Sequence, residues 1–362
     1  MIARLTQIQL LRAIAALLVL VAHLGVVEAK YAIDPILPNW LSTGFAGVDL
    51  FFVISGFIMA RLADEAARGP RVAGAFILAR AGRIYPLYWV VTAVVTAIWL
   101  VRPDMVFASN AAPDLVRSFL LLPDEAPPIL AVGWTLVHEM YFYAIFALIL
   151  LLPQTAFFPA LLIWAALVVG GQFARIGAAS PEASIVFHPL TFEFIAGAVA
   201  GFGFPRYASR LGAMALVLGV AGMATAIGVL FATGLWSDSA FWNGSWLRPA
   251  LFAAPGALLV FGLAARDTIG RSAPPLLAHL GDQSYALYLT HVLSLSAVGR
   301  AWQAIPQFAS PMDNVIALFV MVLVAYIAAE IAFRLVDKPT HNLVRALTKG
   351  LKPQRRAASE GM

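Results

Sequence analysis

Long apolar stretches separated by short polar segments run from Leu10 to Val336. Most are about 17–25 residues long, which is the length a helix needs to cross a bilayer. The pattern therefore predicts an all-α polytopic membrane protein with about ten transmembrane helices. We place these helices at residues 8–27, 44–63, 84–101, 132–152, 155–173, 187–204, 211–234, 247–265, 284–303 and 313–336.

The composition agrees with the pattern and excludes a water-soluble protein. Of the 362 residues, 61% are hydrophobic and 12% are charged, whereas soluble domains carry roughly a quarter charged residues. The net charge of +5 does not indicate nucleic-acid binding, because the basic residues lie in loops between apolar segments rather than along one stripe. The chain has no cysteine, so it has no disulfide, thiolate metal site or cysteine nucleophile.

The distribution of lysine and arginine predicts the orientation. If the N-terminus is inside, 17 of the 24 basic residues fall on the inner side and six on the outer side, with Arg12 within a span. Because cytoplasmic loops carry an excess of these residues, we expect both termini to be cytoplasmic. The predicted membrane domain covers residues 1–340, and a basic cytoplasmic tail, residues 341–362, is expected to be attracted to anionic membrane lipids.

Two polar residues of the first span lie on one face. Arg12 and His23 are eleven positions apart, which corresponds to three helical turns and an axial rise of about 16 Å. A charged side chain inside a bilayer costs at least about 2.5–3.5 kcal/mol, so each one is a candidate for function. The pair places a guanidinium near the cytoplasmic end and a titratable imidazole near the outer end.

The other polar residues within the spans form two layers. The predicted outer layer comprises His23, Asp49, His138, Glu139, His188 and Glu193. The predicted inner layer comprises Arg12, Arg61, Arg80 and Arg83, with His291 near mid-membrane. Of the adjacent pair His138 and Glu139, which point in different directions around a helix, we expect Glu139 to face the interior.

This polarised arrangement indicates a reaction that joins two compartments. Guanidinium groups bind phosphate bidentately, so Arg12, Arg80 and Arg83 suit a phosphate-bearing donor held on the inner side. An imidazole with a nearby carboxylate suits general base catalysis, so His23 and Glu139 are the candidate catalytic residues. Coenzyme A carries phosphates at one end of a long thin arm and a thioester at the other, and would satisfy both layers.

Simpler interpretations stay open for each residue. Arg12 can extend to the inner headgroups, and Arg80 and Arg83 can be ordinary positive-inside residues. His23 can be structural, and Asp49 and Glu193 can hold helices together. No span carries a His-x-x-x-His pair, so we expect no metal. A secondary transporter or sugar flippase also needs buried charge, and a membrane sensor is a further alternative.

Most tryptophans fall at or near the predicted outer face: Trp40, Trp99, Trp134, Trp236, Trp242, Trp246 and Trp302. An interfacial aromatic belt accounts for most of this placement. Some of these rings can instead form stacking platforms for sugars. The further candidates, for the acceptor side or for support of the catalytic groups, are Trp134, Asp49, Glu193, Tyr288 and His291.

Five segments resemble motifs of the membrane acyltransferase-3 superfamily, and within it the bacterial exopolysaccharide acetyltransferases. In chain order they are IQLLRAIAA (8–16) with His23, GVDLFFVISGF (47–57), Arg80 and Arg83 with IYPLYW (84–89), GWTL (133–136) with Glu139, Phe142 and Tyr143, and Ser284, Tyr285, Tyr288, Leu289 and His291. Each motif is weak alone. Five in order, on helices with the right topology, are specific.

The resemblance implies transfer of an acyl group, typically acetyl from cytoplasmic acetyl-CoA, to a sugar hydroxyl on the far side of a bacterial inner membrane. It implies that His23 is catalytic and that Arg12, Arg80 and Arg83 support donor binding. Acetyl-CoA is thus the expected co-substrate, and a polysaccharide or lipid-linked oligosaccharide the expected acceptor. Part of the superfamily acylates small molecules or peptides, so the identity of the acceptor stays open.

Overall fold

The computed structural model describes residues 5–65, 68–106, 112–307 and 311–349. Of the basic residues used to predict orientation, Arg4, Lys352, Arg355 and Arg356 lie outside these ranges, as does most of the predicted tail. The described residues contain helices and no strand. Eight of their helical segments are long and apolar enough to cross a membrane. The chain is therefore an all-α membrane protein.

The described residues form thirteen α-helices. They are α1 (Thr6–Tyr31), α2 (Ala46–Glu65), α3 (Pro70–Val101), α4 (Leu115–Leu120), α5 (Trp134–Ile149), α6 (Phe157–Phe173), α7 (Pro181–Val186), α8 (Thr191–Thr233), α9 (Ser239–Trp242), α10 (Leu247–Thr268), α11 (Pro275–Gln303), α12 (Pro311–Ala332) and α13 (Lys338–Lys349). A 3₁₀ segment, Asn39–Phe45, precedes α2, and a π-helical segment, Phe333–Asp337, joins α12 to α13.

Proline opens several of these helices, at Pro70, Pro181 and Pro275. The first helical position tolerates proline because its missing N–H would have no intrahelical acceptor. Helix α3 begins at Pro70, well before residue 84, where the predicted span begins. Its first turns carry Arg80 and Arg83, whose charge conceals the helix from a hydropathy pattern.

Helices α1, α2 and α11 pack closely around the centre of the molecule. Gly47 of α2 lies against the carbonyl of Ala15, and Gly281 of α11 against the backbone of Gln9. Small residues of this kind let helix backbones approach where lipid offers no hydrophobic driving force. Gly299 lies against Tyr31, so α11 runs parallel to α1 and brings their polar residues to matching depths.

Helix α8 is 43 residues long and contains Pro205. Its first half runs parallel to α2, since Gly197 lies against Val53 and Gly201 against Phe57. Helix α10 also runs parallel to α2, because Asp49 pairs with Arg248 and Val53 contacts Gly256.

The second half of α8 runs in the opposite direction. Gly212 lies against Ala265 and Gly219 against Leu259, so this half is antiparallel to α10. The two halves of α8 therefore run antiparallel to each other, and the helical segment reverses between Phe204 and Gly212. Pro205 lies in this stretch and lacks the backbone N–H of a regular helix, which weakens the helix where the chain turns. The predicted spans 187–204 and 211–234 correspond to the two halves.

Candidate functional site

A cavity of about 130 Å³ lies among α1, α2, α3, α5 and α11. Five residues singled out from the sequence line it: Arg12, Arg80, Arg83, Glu139 and Tyr288. They come from four different helices, so only the packing of the bundle brings them together. Three guanidinium groups around one small cavity form a site suited to a polyanion.

The arginines of the cavity differ in how they are held. Arg83 forms an ion pair with Asp337, a buried carboxylate of the π-helical segment, and its guanidinium lies 5.2 Å from the centre of the Tyr285 ring. Arg80 lies over Phe76 and has no ion-pair partner among the described residues. Arg12 is 3.4 Å from the Gln9 side-chain oxygen. The cavity therefore keeps cationic hydrogen-bond donors for an incoming anion.

Glu139 faces this same cavity, one helical turn from Thr135 and beside the arginines. The hydroxyl of Ser55 donates to its Oε1 at 3.2 Å, and the hydroxyl of Tyr143 donates to the same oxygen. The sequence analysis grouped Glu139 with His23 in the outer layer. The structure instead groups its carboxylate with Arg12, Arg80 and Arg83, whose charge it partly balances.

His23 forms a pair with His291 outside the lining of the cavity. The two ring centres are 4.7 Å apart, and His291 Nε2 is 3.1 Å from His23 Nδ1. His291 Nδ1 lies 2.7 Å from the Tyr288 carbonyl, and His23 Nδ1 lies 2.9 Å from the Val19 carbonyl. The sequence analysis placed His291 near mid-membrane, and the structure pairs it with His23, the candidate catalytic residue.

This hydrogen-bond network assigns the tautomers of the pair. A carbonyl can only accept, so Nδ1 of His291 carries a proton and its Nε2 is an acceptor. Nδ1 of His23 faces two acceptors, the Val19 carbonyl and His291 Nε2, and must therefore be the protonated nitrogen. In the neutral ring the Nε2 of His23 is then unprotonated, which is the state required of a general base or a nucleophile.

Asp49 does not face the cavity but forms a buried ion pair with Arg248. The Nε and Nη2 atoms of Arg248 donate to the two carboxylate oxygens at 2.8 and 3.0 Å. Both residues are only 1% exposed. Removing one partner of such a pair leaves an uncompensated buried charge, which costs about 3–5 kcal/mol.

The Asp49–Arg248 pair is connected to His23 through two aromatic rings. Arg248 donates to the Trp242 carbonyl, and its guanidinium lies 5.2 Å from the centre of the Trp242 ring. Trp242 contacts Phe45 at 5.8 Å, and Phe45 contacts His23 edge-on at 5.0 Å. Asp49 therefore acts on the candidate site through Arg248 and not by direct contact.

Two further candidates, Trp134 and Glu193, belong to a neighbouring polar cluster. Trp134 contacts His138 edge-on at 5.7 Å, and His138 contacts His188 at 4.5 Å. Glu193 is fully buried, and its charge interacts with Asp49 and Arg248. Neither Trp134 nor Glu193 lines the cavity.

The described residues contain no group of three or more acidic or histidine side chains able to hold a metal ion.

Comparison with known proteins identifies the family. A model of the acyltransferase-3 domain matches residues 5–330. This chain belongs to the acyltransferase-3 family. It is 32% identical over 337 residues to the exopolysaccharide production protein ExoZ of Rhizobium meliloti, covering 85% of this chain and 93% of ExoZ.

More distant relatives of this acyltransferase agree with the assignment. The putative membrane-bound transacylase BcsY of Komagataeibacter xylinus is 27% identical, covering 78% of this chain and 70% of BcsY. The O-acetyltransferase OatA of Staphylococcus aureus is 24% identical over 91% of this chain, which spans 56% of OatA. No solved structure matches the chain. The prediction of an O-acyltransferase is confirmed.

The sequence analysis assigned no role to several residues that support the candidate site. Ser55 and Tyr143 hold Glu139, Asp337 holds Arg83, and Arg248 holds Asp49. Ser55 and Tyr143 were quoted only as members of the family motifs, and Arg248 was counted among the six basic residues of the predicted outer side. An aspartate within a span is stabilised by a cation at the same depth, and Arg248 lies at the start of α10, the helix that packs beside Asp49.

Proposed function

We propose that this acyltransferase moves a short acyl group, most readily acetyl, from cytoplasmic acyl-CoA to a hydroxyl of a polysaccharide or lipid-linked oligosaccharide. The acceptor would lie on the far side of a bacterial inner membrane. One observation carries the proposal, namely that Tyr288, which lines the three-arginine cavity, also contacts His291 of the His23–His291 pair, with ring centres 5.8 Å apart. The similarity to ExoZ, an exopolysaccharide production protein, supports the acceptor class, and the similarity to OatA, an O-acetyltransferase, supports the acetyl group.

Ten membrane passes are consistent with the directions of the helices. Eight helical segments meet the length and hydropathy requirements. The segment that contains α8 counts once among them, although its two halves run in opposite directions. Helix α11 has 29 residues, enough to cross, but carries too many polar residues to qualify by hydropathy. An even number of passes puts both termini on one side, and the lysine and arginine distribution supports the cytoplasm.

In this proposal the cavity holds the phosphates of coenzyme A. Arg80 has no carboxylate partner among the described residues, so it would bind phosphate without first breaking an ion pair. Arg83 would exchange or share Asp337 with the phosphate. Guanidinium–phosphate hydrogen bonds are charge-assisted and stronger than neutral ones. The inner end of the site would thus supply binding, while the chemistry would occur at the outer end.

The proposed reaction uses Nε2 of His23. This nitrogen takes the proton of the acceptor hydroxyl, whose oxygen attacks the thioester carbonyl. The carbon–oxygen bond forms, the carbon–sulfur bond breaks, and the leaving thiolate takes the proton back from His23 to give free coenzyme A. The same Nε2 could accept the acyl group first and pass it on, as in covalent catalysis. A burst of one free coenzyme A per enzyme in the absence of acceptor would indicate the covalent route, and no burst would indicate direct transfer.

The proposal is tested with purified protein in lipid nanodiscs, labelled acetyl-CoA and exopolysaccharide fragments. We expect an alkali-labile label on the glycan, and a loss of about 10²–10⁴-fold with His23→Ala, the range of general base catalysis. Helical content and elution volume should not change, because alanine makes α1 more apolar. No transfer by the inserted wild type, or full transfer by inserted His23→Ala, would contradict the proposal. Label on small alcohols alone would restrict the acceptor to a small molecule.

A further inference from the structure

Helix α13 lies at the end of the bundle that contains Arg12. Helix α12 runs antiparallel to α1, because Asn314 near its start donates a 2.6 Å hydrogen bond to the carbonyl of Asp34, just beyond the end of α1. Helix α12 therefore ends near the start of α1, and α13 follows it after the π-helical segment. Val344 of α13 lies directly against Gly82, between the two arginines that α3 contributes to the cavity. Helix α13 thus borders the cavity at its arginine end.

Two side chains of α13 add polar donors beside these arginines. His341 and Arg345 are four residues apart, so they lie on one face of the helix, and both are exposed. The charges that act on the His341 ring come from one carboxylate, Asp337, and from three guanidinium groups, those of Arg80, Arg83 and Arg345. This face is therefore open to solvent and has an excess of positive charge, which suits a phosphate group.

The order of groups in coenzyme A determines which of them lies at this face. The proposed reaction directs the thioester to His23, and the diphosphate at the other end of the pantetheine arm lies among the cavity arginines. The cavity of about 130 Å³ is smaller than the roughly 300–1,000 Å³ of pockets that enclose a whole drug-sized ligand, so it holds only part of the molecule. The ribose with its 3′-phosphate follows the diphosphate and would lie beyond the arginines, beside α13.

We infer that His341 and Arg345 bind the 3′-phosphate of the donor coenzyme A. This inference rests on the proposed transfer from acyl-CoA. A phosphate monoester carries a charge of about −1.5 to −2 at pH 7 and three acceptor oxygens, and a guanidinium binds such a group through charge-assisted hydrogen bonds. The His341 ring adds a further N–H donor. The donor site thereby distinguishes coenzyme A from acyl carriers that have no 3′-phosphate.

The test compares coenzyme A with 3′-dephospho-coenzyme A, which lacks only the group in question. Calorimetry measures the affinity of both for the full chain in nanodiscs of zwitterionic lipid. We expect the wild type to bind coenzyme A about tenfold or more tightly than the dephospho form. Arg345→Ala should weaken coenzyme A binding about tenfold and change the affinity for the dephospho form by less than about twofold. His341→Ala should give a smaller loss that is likewise confined to coenzyme A.

Arg334→Ala is the matched control. Arg334 is an exposed arginine seven residues before His341, its guanidinium pairs with Glu330, and it does not line the cavity. The control removes the same charge as Arg345→Ala. We expect it to leave the affinities for coenzyme A and for the dephospho form within about twofold of the wild type.

Three results would overturn the inference, and each has a different meaning. Equal weakening of both ligands by Arg345→Ala, or equal wild-type affinity for both, would show that these residues do not bind the 3′-phosphate. Lipid headgroups are the other source of phosphate near a basic helix, and a loss seen only in nanodiscs with anionic lipid would assign His341 and Arg345 to headgroups. A wild-type protein that binds neither ligand contradicts the proposed function and the inference together.

Discussion

In the proposed reaction, the contact of His23 with His291 would prepare a base without a carboxylate partner. In many hydrolases a carboxylate fixes the tautomer of the catalytic histidine. Here Nε2 of His291 accepts from His23 Nδ1, and a backbone carbonyl orients His291 in turn. A neutral acceptor avoids the cost of burying another charge within the membrane. His291 would therefore be a positioning residue that acts through His23.

His291→Ala should lower kcat by about 10–100-fold while KM for the donor changes little, because the variant frees the His23 ring without touching the donor cavity. His291→Gln should recover a large part of the loss, since its side-chain oxygen can accept from His23 Nδ1. Steady-state kinetics in nanodiscs measure both. Equal losses in the two variants, or a rise in KM alone, would argue against a positioning role.

The arginines should act on binding rather than on chemistry. Hydrogen bonds to charged groups contribute about 1.5–3 kcal/mol, so Arg80→Ala and Arg83→Ala should each weaken coenzyme A binding roughly 10–100-fold, as measured by calorimetry. Arg80 should matter more, because Arg83 must share its charge with Asp337. Arg206→Ala, an exposed cation outside the cavity lining, is the control. Unchanged affinity for coenzyme A in both Arg80→Ala and Arg83→Ala would show that the phosphates bind at another site.

At the scale of helices, the positions of the site residues depend on close backbone contacts. The contact of α2 with the first half of α8 sets the depth of Asp49 and Ser55, and glycine permits it at Gly197. A Cβ at this position would overlap the backbone carbonyl of Val53, an atom that cannot turn away. Gly228, also on α8, has open space where a Cβ would lie.

Gly197→Ala should therefore destabilise the protein, by about 1–3 kcal/mol or more as in other overpacked interiors. Gly228→Ala should be neutral or slightly stabilising, because alanine favours the helix. Thermal unfolding in detergent, followed by size-exclusion fluorescence, compares the two. Equal melting temperatures for the two variants would contradict the α2–α8 packing described here.

At the scale of the whole molecule, the sequence predicted the class and the approximate segments, because lipid requires long apolar helices whatever their packing. It also grouped Arg12, Arg80 and Arg83, which line one cavity in the structure, because charge within a span requires a polar interior. It could not predict that Glu139 joins the arginines rather than His23. Nor could it predict that Arg248 is buried. Which side chains meet across two helices depends on how each helix is rotated about its axis and on the angle at which the helices cross. Both follow from packing, which the hydrophobic periodicity of the sequence does not determine.

The central claim is that donor and acceptor meet from opposite faces of the membrane. Sealed vesicles of known orientation test it directly, with labelled acetyl-CoA on the cytoplasmic side and glycan confined to the outer side. Our account predicts labelled glycan on the outer side, abolished by His23→Ala. Labelling that requires both substrates on the cytoplasmic side would contradict the cross-membrane reaction. A topology map that places residue 115 inside would reverse every assignment of sides.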